Sequence, residues 1–551
     1  MSYIHINSVF NCRLIKGIEI MRKKITLLLI SLFFALIICS TASATEIVSK
    51  NSAGKIGNGN CGGVSISDDG RYVAFISNAT NLVSGDTNNL YDVFVRDRVT
   101  NKTTRVSLTK NGKQITTGTG SYFASISGNG RYVTYQSDGN LGWTNSDMTN
   151  RGITQIYVYD RITKSTEIIN GNGGNGASYY PSISADGRYV TFASAANDLV
   201  AGDTNKQTDL FLWDRGTSAI TRIYTETYNN HDITNFNPSI SADGRYIAFT
   251  HANMTSQSCI FVIDTLTNTT KQIMGKSSSG TPVAPNGYMY CPKISGNGRY
   301  VTFYSDATNL DPKDTNNRDD VYRADMFQPI AYATLVSVSK TNTAGNGQSY
   351  VPSISYDGRY VAFLSGATDL VSGDTNTEDV FVRDMVLGKT KKLSVSSSGI
   401  SGNGYSGDIS LRSDGKYAVF TSSASNLVSG DTNGQSDVFI NSVDFKPPVL
   451  SATSPKNEST GVSRTATISI RLSENVKSST NWSKVYVKNL KTGTKCHITA
   501  WITGNHIYIK TNSKKSASTQ YQVYIPISAV KDYAGNNLAT EYTFKFKTGK
   551  Y

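Results

Sequence analysis

A pattern that recurs seven times constrains this chain more than any other feature. Its clearest copy begins at Pro181-Ser-Ile-Ser184, continues through Ala185-Asp186-Gly187-Arg188 and Tyr189-Val-Thr-Phe192, and ends at Asp209-Leu-Phe-Leu-Trp213-Asp214. The seven copies follow one another at intervals of about 54 to 60 residues, a fixed period that predicts a radial or stacked repeat architecture. Their turn glycines are Gly70, Gly130, Gly187, Gly244, Gly298, Gly358 and Gly415.

Each copy predicts four short strands. Asp-Gly or Asn-Gly dipeptides such as Asp69-Gly70 favour a tight two-residue turn between the first two strands. In the first copy, the strands are expected at residues 65–67, 71–75, 92–97 and 103–107. Four strands per unit are typical of a propeller blade. Since no long stretch shows apolar residues at helical spacing, the fold class predicted for the whole chain is all-β.

The two ends of the repeat region complement each other. The seventh copy runs through residues 436–440 and reaches Pro447-Pro448 without a fourth strand. Residues 45–51 are similar in sequence to residues 104–111, which form the fourth strand of the first copy and its exit. We therefore expect the segment from Thr45 onward to complete the last blade, which leaves no open edge strand in the ring.

The repeat carries a family resemblance. Pro-Ser-Ile-Ser-x-Asp-Gly-Arg-Tyr-Val-x-Phe, followed by Asp-Val-Phe-Val-x-Asp, resembles the WD-like propeller repeats of the TolB type over residues 45–445. The chain differs from TolB in having seven repeats where TolB has six and in lacking its N-terminal α/β domain. The resemblance thus implies a seven-bladed β-propeller at residues 45–446 and no particular role, because this repeat serves many.

The N-terminal 44 residues have the pattern of an export signal. Met21, which we take as the start of the signal, is followed by Arg22-Lys23-Lys24 and an apolar run at 25–38, and Ala42-Ser43-Ala44 fits the cleavage pattern. We expect a mature chain that begins at Thr45, is secreted or lies at the cell surface, and has no transmembrane anchor. The four cysteines beyond this point are spaced too widely for a zinc site, and isolated thiols are favoured over a disulfide.

Residues 447–551 predict a second domain. Strands with alternating apolar residues recur in it at 466–472, 484–488, 506–510, 521–525 and 542–547, as in a β-sandwich of about 100 residues. Ser454-Pro455, Gly461-Val462, Ser473-Glu-Asn-Val476, Lys531-Asp532-x-Ala-Gly-Asn536 and Phe544-x-Phe-x-Thr548 resemble the bacterial Ig-like domain of S-layer and cell-wall proteins. The resemblance implies an extracellular spacer or attachment module without an active site.

Charge is concentrated in this second domain. It contains 15 Lys and Arg against four acidic residues, about +11 in total, whereas residues 45–446 are near −2. The excess indicates either an anionic partner, such as a cell-envelope polymer, or a lysine face that only aids solubility. Lys484, Lys488, Lys545 and Lys547 alternate with apolar residues, so each pair is expected on one solvent-facing side of its strand. We expect no nucleic-acid partner.

The candidate site residues lie in a loop that follows the second strand of five repeats. Asp and Asn at spacings i, i+2 and about i+6 resemble part of a calcium loop, but EF-hand glycine and glutamate positions are not matched. The alternative is that these side chains bond their own backbone and shape the turn, which we favour over calcium. The residues are Asp86, Asn88, Asp92, Asp203, Asn205, Asp209, Asp314, Asn316, Asp320, Asp374, Asn376, Asp379, Asp431, Asn433 and Asp437.

No catalytic set stands out, and we name no catalytic or cofactor-binding residue. The four histidines beyond residue 44 show no metal-ligand spacing, and there is no Gly-x-Ser-x-Gly elbow or phosphate-binding loop. The Arg-Tyr pair that follows nearly every turn glycine is expected to be architectural because it recurs around the ring. We therefore predict a surface protein that binds a cell-envelope polymer or another surface protein. The alternative is a secreted hydrolase or lyase acting on a glycan.

Overall fold

The computed structural model describes residues 45–139, 141, 153–169, 174–205, 207–224, 236–252, 258–375 and 378–551. The predicted export signal, residues 1–44, lies outside them. The described chain forms two compact units, the first ending at Asp444 and the second beginning at Phe445. No α-helix occurs among the described residues, so the all-β prediction is confirmed.

The first unit consists of short strands that pair mainly antiparallel, and most of its sheets contain four strands. Strand β1 is Glu46–Ile47. Blade 1 contains β2 Cys61–Ile66, β3 Tyr72–Ser77, β4 Asp92–Asp97 and β5 Lys102–Arg105; blade 2 contains β6 Ser121–Ile126, β7 Tyr132–Ser137, β8 Gln155–Asp160 and β9 Ser165–Ile168; blade 3 contains β10 Ser178–Ile183, β11 Tyr189–Ser194, β12 Asp209–Asp214 and β13 Ala219–Tyr224; blade 4 contains β14 Ser239–Ile240, β15 Tyr246–Ala252, β16 Ser258–Asp264 and β17 Thr269–Lys276.

After a short strand β18, Pro282–Val283, which pairs with β17, three more groups follow. Blade 5 contains β19 Met289–Ile294, β20 Tyr300–Ser305, β21 Asp320–Asp325 and β22 Ala331–Leu335; blade 6 contains β23 Ser349–Ile354, β24 Tyr360–Ser365, β25 Asp379–Asp384 and β26 Lys389–Lys392; blade 7 contains β27 Ser406–Leu411, β28 Tyr417–Ser422 and β29 Asp437–Ser442. In blades 1 to 6 the four strands pair in chain order, as in a propeller.

Blade 7 takes its fourth strand from the other end of the unit. β1 pairs antiparallel with β29, with Glu46 opposite Ile440 and Ile47 opposite Phe439. The Val48 amide continues the ladder by donating to the Val438 carbonyl at 2.7 Å. The expected ring closure is therefore confirmed. Blades 1, 2, 3, 6 and 7 are separate four-stranded sheets, whereas blades 4 and 5 join through a parallel pairing of β17 with β22 into one nine-stranded sheet that includes β18.

The hairpin loop between the first two strands of a blade is wider than the two-residue turn expected from the sequence, so that prediction is wrong. In blade 1, Ser67 pairs with Tyr72, so the loop contains four residues. Gly70 has a φ of 71°, but Asp69 is not in the left-handed region, as a two-residue Asp-Gly turn of type I′ would require. Instead, the Asp69 carboxylate accepts hydrogen bonds from the Arg71 amide and the Ser67 hydroxyl, which fixes the wider loop.

In blades 1 to 6, the arginine after the turn glycine forms an ion pair, here called the clamp, with the last residue of the third strand. Arg71 donates to both carboxylate oxygens of Asp97, the last residue of β4, at 3.0 and 2.8 Å, and its guanidinium lies 4.8 Å from the Tyr72 ring centroid. Blades 2 to 6 repeat the ion pair. Blade 7 has Lys416 at this position and Ser442 at the end of β29, so the pair is replaced there. The architectural interpretation of Arg-Tyr agrees with these contacts.

Neighbouring blades are joined by a belt of backbone hydrogen bonds. Each bond runs from an amide in one hairpin loop to a carbonyl in the next, as from Asp68 to Gly128 at 2.9 Å and from Asn129 to Ala185 at 3.0 Å, and the series continues to Ser413. Arg412 then reaches the Asp69 carbonyl through its side chain. The hairpin loops and the turns between third and fourth strands therefore share one face, here called the turn face, and the longer loops form the opposite loop face.

The core of the propeller consists of buried side chains within each blade and between neighbouring blades. A stacked aromatic pair joins the second and third strands of every blade, with centroids 5.6–6.0 Å apart, as in Phe75–Phe94. One apolar cluster crosses the closure, with Val48, Val438 and Ile440 packed together with Phe75 and Phe94. The core is therefore continuous through the point where the ring closes.

The second unit is a β-sandwich, as predicted. Its strands are β30 Leu450–Ser454, β31 Ser459–Val462, β32 Ile468–Leu472, β33 Val476–Ser478, β34 Tyr486–Asn489, β35 Ile498–Thr503, β36 His506–Thr511, β37 Gln520–Ile525, β38 Val530–Asp532 and β39 Tyr542–Thr548. β30-β32-β36-β35 and β31-β39-β37-β34 form two four-stranded sheets, and β33 pairs with β38. Ile470 and Ile507 from one sheet meet Val523 and Phe546 from the other in a shared core.

Candidate functional sites

The predicted Asp and Asn residues lie on the loop face, between the second and third strands of their blades. In blade 1 the Arg105 guanidinium lies between two of them, 3.0 Å from Asp86 and 3.1 Å from Asp92. Arg222 occupies the same place in blade 3, at 3.0 Å from Asp203 and 3.2 Å from Asp209. In blade 6, the Lys392 ammonium contacts Asp374 and Asp379. In these three blades, a basic side chain from the fourth strand already balances the two carboxylates.

Blades 5 and 7 differ at the position of this basic residue. In blade 1, Arg105 lies opposite Phe94, the aromatic residue of the third strand. At the same position, blade 5 has Leu335 and blade 7 has Ile47. In blade 5, Asp314 accepts a hydrogen bond from the Tyr322 hydroxyl at 2.5 Å, and Asp320 accepts one from Asn316 at 2.7 Å.

In blade 7, Asp437 accepts hydrogen bonds from Ser49 at 2.5 Å and from Asn433 at 2.7 Å. Burial raises the pKa of Asp437 to about 6, and the nearby Asp431 adds to the rise. The hydrogen bonds from Ser49 and Asn433 favour the ionised form and oppose this rise, so the carboxylate of Asp437 is held by neutral donors rather than by a basic side chain.

The asparagines of these loops bond their own backbone. Asn88, Asn205, Asn316 and Asn433 each accept a hydrogen bond from the amide two residues later, at distances of 2.9–3.1 Å. Asn376 lies outside the described residues. These are the contacts of the turn-shaping interpretation. The calcium alternative stays a prediction, and its residues are brought together only within single blades.

Two further aromatic side chains of the propeller, those of His251 and Trp213, have packing roles. His251 is buried, with its ring edge-on to Tyr224 at 5.0 Å and to Phe261 at 5.8 Å. Trp213 is buried in the cluster between blades 2 and 3. Trp143 and His231 lie outside the described residues.

A ring of left-handed residues surrounds the propeller axis. In six blades the first strand contains one residue with φ between 24° and 55°, at a bulge where its pairing with the second strand shifts. In blade 4 the corresponding residue, Asn237, lies two residues before β14 begins. The ring consists of Gly63, Phe123, Tyr180, Asn237, Cys291, Val351 and Asp408. Six of the seven are not glycine, and such backbone conformations persist only where the surrounding fold enforces them.

Ring residues of neighbouring blades contact each other. Phe123 of blade 2 and Tyr180 of blade 3 meet edge to face at 5.0 Å. Burial raises the pKa of Tyr180, and the thiol of Cys291, two blades away, contributes to the rise. Between blades 7 and 1, Asp408 accepts a hydrogen bond from the Gly63 amide at 2.8 Å. The ring thus has an aromatic pair between blades 2 and 3, and a carboxylate beside glycine between blades 7 and 1.

Blades 5 and 6 carry an aromatic cluster that breaks the sevenfold pattern. Tyr288, Tyr290 and Tyr304 stack in series, with centroids 6.0 and 5.1 Å apart, and Tyr350 meets Tyr304 edge-on at 6.5 Å. At the position of Tyr304, the other blades with a matching register have Ile76, Gln136, Ala193, Leu364 and Thr421. We call Tyr288, Tyr290, Tyr304 and Tyr350 the tyrosine cluster.

Carboxylates surround the tyrosine cluster. Burial raises the pKa of Tyr290, followed by the charges of Asp306 and Asp319. Burial also raises the pKa of Asp319, with the charge of Asp306 as the second cause. Burial raises the pKa of Tyr350, and the nearby Glu378 carboxylate adds to the rise. Aromatic faces beside carboxylate acceptors can hold a ligand that offers hydroxyl or ammonium groups.

The sequence interpretation missed this cluster, although a signal was present. It searched for catalytic motifs and for isolated histidines and tryptophans, whereas the cluster is built from tyrosines, the commonest aromatic residue of the chain. Aligning the copies would have shown Tyr304 as the distinctive residue. The position of Tyr290 is also tyrosine at Tyr122, Tyr179 and Tyr350, whereas the position of Tyr304 is tyrosine in blade 5 alone among the six blades that share this register.

The Ig-like domain presents a basic face. Lys488 lies opposite Gln522, which lies opposite Lys545, and Lys547 is on the same side of β39, away from the buried Phe544 and Phe546. The prediction that Lys484 shares a strand face with Lys488 is wrong, because Lys484 lies in a 3₁₀ turn, Trp482–Lys484, before β34 begins. We call Lys488, Lys545 and Lys547 the lysine face.

Comparison with known proteins assigns the second unit. Residues 444–548 match the family "Bacterial Ig-like domain", so the sequence resemblance is confirmed, and domains of this kind are typical of bacterial surface proteins. A search of curated proteins finds no match to the chain. Within the described residues, no helix has the length and apolar character needed to cross a membrane.

Several solved structures are similar to the propeller. An oligogalacturonate lyase in complex with manganese is 12% identical, with 74% of this chain and 98% of that chain covered and a TM-score of 0.44. TolB from Acinetobacter baumannii is 13% identical, with 64% and 76% covered and a TM-score of 0.33. A putative TolB from Agrobacterium tumefaciens is 16% identical, with 50% and 79% covered and a TM-score of 0.32. At such similarity an activity does not transfer.

Proposed function

We propose that this chain is an exported cell-surface binding protein. In this proposal the propeller holds a hydroxyl-rich segment of a cell-envelope polymer at the tyrosine cluster, and the Ig-like domain attaches the protein to the envelope. The observation that carries the proposal is the break in symmetry at blades 5 and 6. Features repeated in nearly every blade build the ring, whereas stacked tyrosines beside Asp306, Asp319 and Glu378 are specific to one sector.

Tyr288 is the best position at which to test this site. Its side chain is 41% exposed, so alanine should not disturb folding, and it ends the stacked series. Binding of the mature chain to solubilised envelope polymers should weaken about tenfold or more in Tyr288→Ala, as for a central aromatic contact. Tyr405→Ala is the matched control, because Tyr405 is exposed on the loop face of blade 7 outside the cluster. Equal binding by Tyr288→Ala and the wild type would contradict the proposal.

The lysine face is the proposed attachment surface. Its lysines line one side of a sheet in a domain of about +11, and contacts of exposed charges weaken as the Debye length falls from about 8 Å at physiological salt to about 3 Å at 1 M. The mature chain should sediment with cell envelopes at low salt and be released at high salt. Replacing Lys488, Lys545 and Lys547 by glutamine should reduce this binding.

A second triple variant separates this face from net charge alone. Lys456, Lys510 and Lys514 are exposed lysines outside the lysine face, and their replacement by glutamine changes the charge equally. This variant should retain most of the binding. Equal losses in both variants, or binding that salt does not alter, would show that the lysine face has no special role.

One observation favours the enzymatic alternative, a glycan hydrolase or lyase. Asp319 has a raised pKa beside the exposed Asp306, and a carboxylic acid next to a carboxylate is the pairing that glycoside hydrolysis uses. If this alternative holds, the purified protein should release products from envelope glycans, and Asp319→Asn should abolish release while binding persists. Binding without product formation would favour the binding protein.

A further inference from the structure

Three aromatic side chains stack on the outer side of one sheet of the Ig-like domain. This sheet is β30-β32-β36-β35, whereas the lysine face lies on the other sheet. Trp501 of β35 lies opposite Tyr508 of β36, with ring centroids 5.4 Å apart and planes at 19°. His506, two residues before Tyr508, stacks with it at 5.8 Å and 14°. We call Trp501, Tyr508 and His506 the aromatic face.

The alternation of the strands turns the aromatic face away from the core. Ile507 and Ile509 are buried in the core that the two sheets share, and Ile502 packs against it. Their neighbours in sequence therefore point to the opposite side of the sheet. Trp501 is 41% exposed, more than any other tryptophan among the described residues, and lies on the last strand of its sheet. The stacked series thus ends in a ring that is accessible to a ligand.

Small residues with hydroxyl groups continue the same row across the sheet. Tyr508 lies opposite Ser469 of β32, which lies opposite Ser454 of β30, and Thr503 lies opposite His506. In the part of the chain that the structure describes, the hydroxyls of these two serines and of Thr503 form no hydrogen bond. They are therefore free to bond to a ligand. The row from β35 to β30 crosses three spacings between strands, about 14 Å.

The surroundings of the aromatic face indicate the kind of ligand that fits it. Ala452 is the only exposed aliphatic residue of the four strands, so the aromatic rings supply most of the apolar surface on this side. The four strands contain no Asp or Glu, and Arg471 and Lys510 are their basic residues. A sugar ring combines apolar C–H groups on its faces with hydroxyls around its edge. Aromatic rings attract C–H groups through their negative faces, and the neighbouring hydroxyls match those of the sugar.

We propose that the aromatic face binds a polysaccharide. Its sugar rings stack on Trp501 and Tyr508, and their hydroxyls bond to Ser469 and to the guanidinium of Arg471, which lies opposite His506. Single-stranded nucleic acid also stacks on aromatic rings, but its sites add a positively charged groove that follows the phosphates, and two basic residues do not form one. The match to a family typical of surface proteins also favours a polysaccharide. This site is independent of the tyrosine cluster and of the lysine face.

The test measures protection of Trp501 itself, so that binding elsewhere on the molecule does not interfere. The mature chain, residues 45–551, is oxidised by hydroxyl radicals with increasing amounts of protein-free polysaccharide from bacterial envelopes. The salt concentration is 1 M, where a Debye length of about 3 Å suppresses the attraction of the lysine face. Mass spectrometry should show less oxidation of Trp501 and Tyr508 as polysaccharide is added. Oxidation of Tyr551, which is 90% exposed and follows the other sheet, should not change.

Substitutions link this protection to stacking. In Trp501→Ala, protection of Tyr508 should require about tenfold more polysaccharide, as expected for the loss of a central aromatic contact. Trp501→Phe keeps an aromatic ring and should restore most of the protection, and Tyr551→Ala is the matched control that should behave as the wild type. Replacing the three lysines of the lysine face by glutamine should leave Trp501 protected, which separates this site from the proposed attachment surface.

Three results would overturn the inference. The first is oxidation of Trp501 that polysaccharide does not reduce, or equal protection of Tyr508 in Trp501→Ala and the wild type. The second is protection by single-stranded oligothymidylate at lower concentrations than by polysaccharide, which would assign the aromatic face to nucleic acid. The third is protection of Trp501 that rises with protein concentration in the absence of polysaccharide, which would assign the face to a second copy of the chain.

Discussion

Replacing Val48 by alanine should destabilise the propeller about as much as replacing Val106. The two valines are equivalent residues, each directly after the fourth strand of its blade. Val106 belongs to blade 1 in chain order, whereas Val48 reaches blade 7 from the other end of the unit. Each donates its amide to the third strand, at 2.7 Å to Val438 and 2.8 Å to Val93. Both side chains are buried, at 1% and 0% exposure.

The magnitude follows from this burial. Alanine removes two methyl groups from a packed site, at about 0.8 kcal/mol each, and the remaining cavity adds to the loss, so each substitution should cost about 2–3 kcal/mol. In Val48→Ala the cavity opens in the cluster that joins Val438 and Ile440 to Phe75 and Phe94. If the segment did not pair with blade 7, Val48 would be exposed, and its substitution would change stability by less than about 0.5 kcal/mol.

Urea unfolding of the mature chain, followed by near-ultraviolet circular dichroism, measures both variants against the wild type. The free-energy change is obtained from the shift in midpoint at constant slope. The reasoning is refuted if Val106→Ala lowers the midpoint as expected while Val48→Ala unfolds at the wild-type concentration.

Three further predictions concern the turns, the clamps and the loops. A Cβ at Gly187 would lie closer than 3.0 Å to the tyrosine ring of the preceding blade, whereas Gly202, also at positive φ, faces open space. Gly187→Ala should therefore lower the melting temperature well below that of Gly202→Ala, and equal values would refute the contact. The arginine clamp lowers the pKa of Asp214 to about 2. The stabilisation that this ion pair gives the folded state is thus complete above about pH 4 and is lost as the pH falls through about 2. In Asp214→Asn, the free energy of unfolding should therefore fall less steeply with pH over that range. Millimolar calcium should leave the melting temperature unchanged; a rise that Asp431→Asn removes and Asp86→Asn retains would place an ion in blade 7.

Much of the fold could be predicted because the same local sequence pattern occurs seven times. The strands could be predicted from the alternation of apolar and polar residues, and the closure of the ring from the similarity of residues 45–51 to residues 104–111. The width of the hairpin loop could not be predicted from Asp-Gly alone, because the loop is fixed by contacts such as that of Ser67 with Asp69. In the sandwich, β33 and β38 are three-residue strands, too short for a periodic pattern to reveal.

The candidate sites were less accessible to sequence reasoning. The left-handed conformation of Val351 contradicts the preference of a β-branched residue, so only the assembled ring dictates it. The tyrosine cluster combines residues of two blades, and their contact depends on the bulges that redirect the first strands. In contrast, the partner of Asp86 could have been found, because Arg105 and Lys392 stand at the same place in their repeats, where blade 5 has the apolar Leu335.

The pairing of β1 with β29 has a consequence for the order in which the molecule can form. The first propeller residues and nearly the last belong to one sheet, so no growing or partly exported chain can complete blade 7 until almost 400 further residues have followed Ile47. Contacts so distant in sequence form slowly, because a long loop must close before they stabilise anything. Until then, the apolar side of β2 and β3 that packs against blade 7 is uncovered, and β29 has no strand paired along one edge. A chaperone that shields these two surfaces while the chain is being made would act at the step on which the whole ring depends.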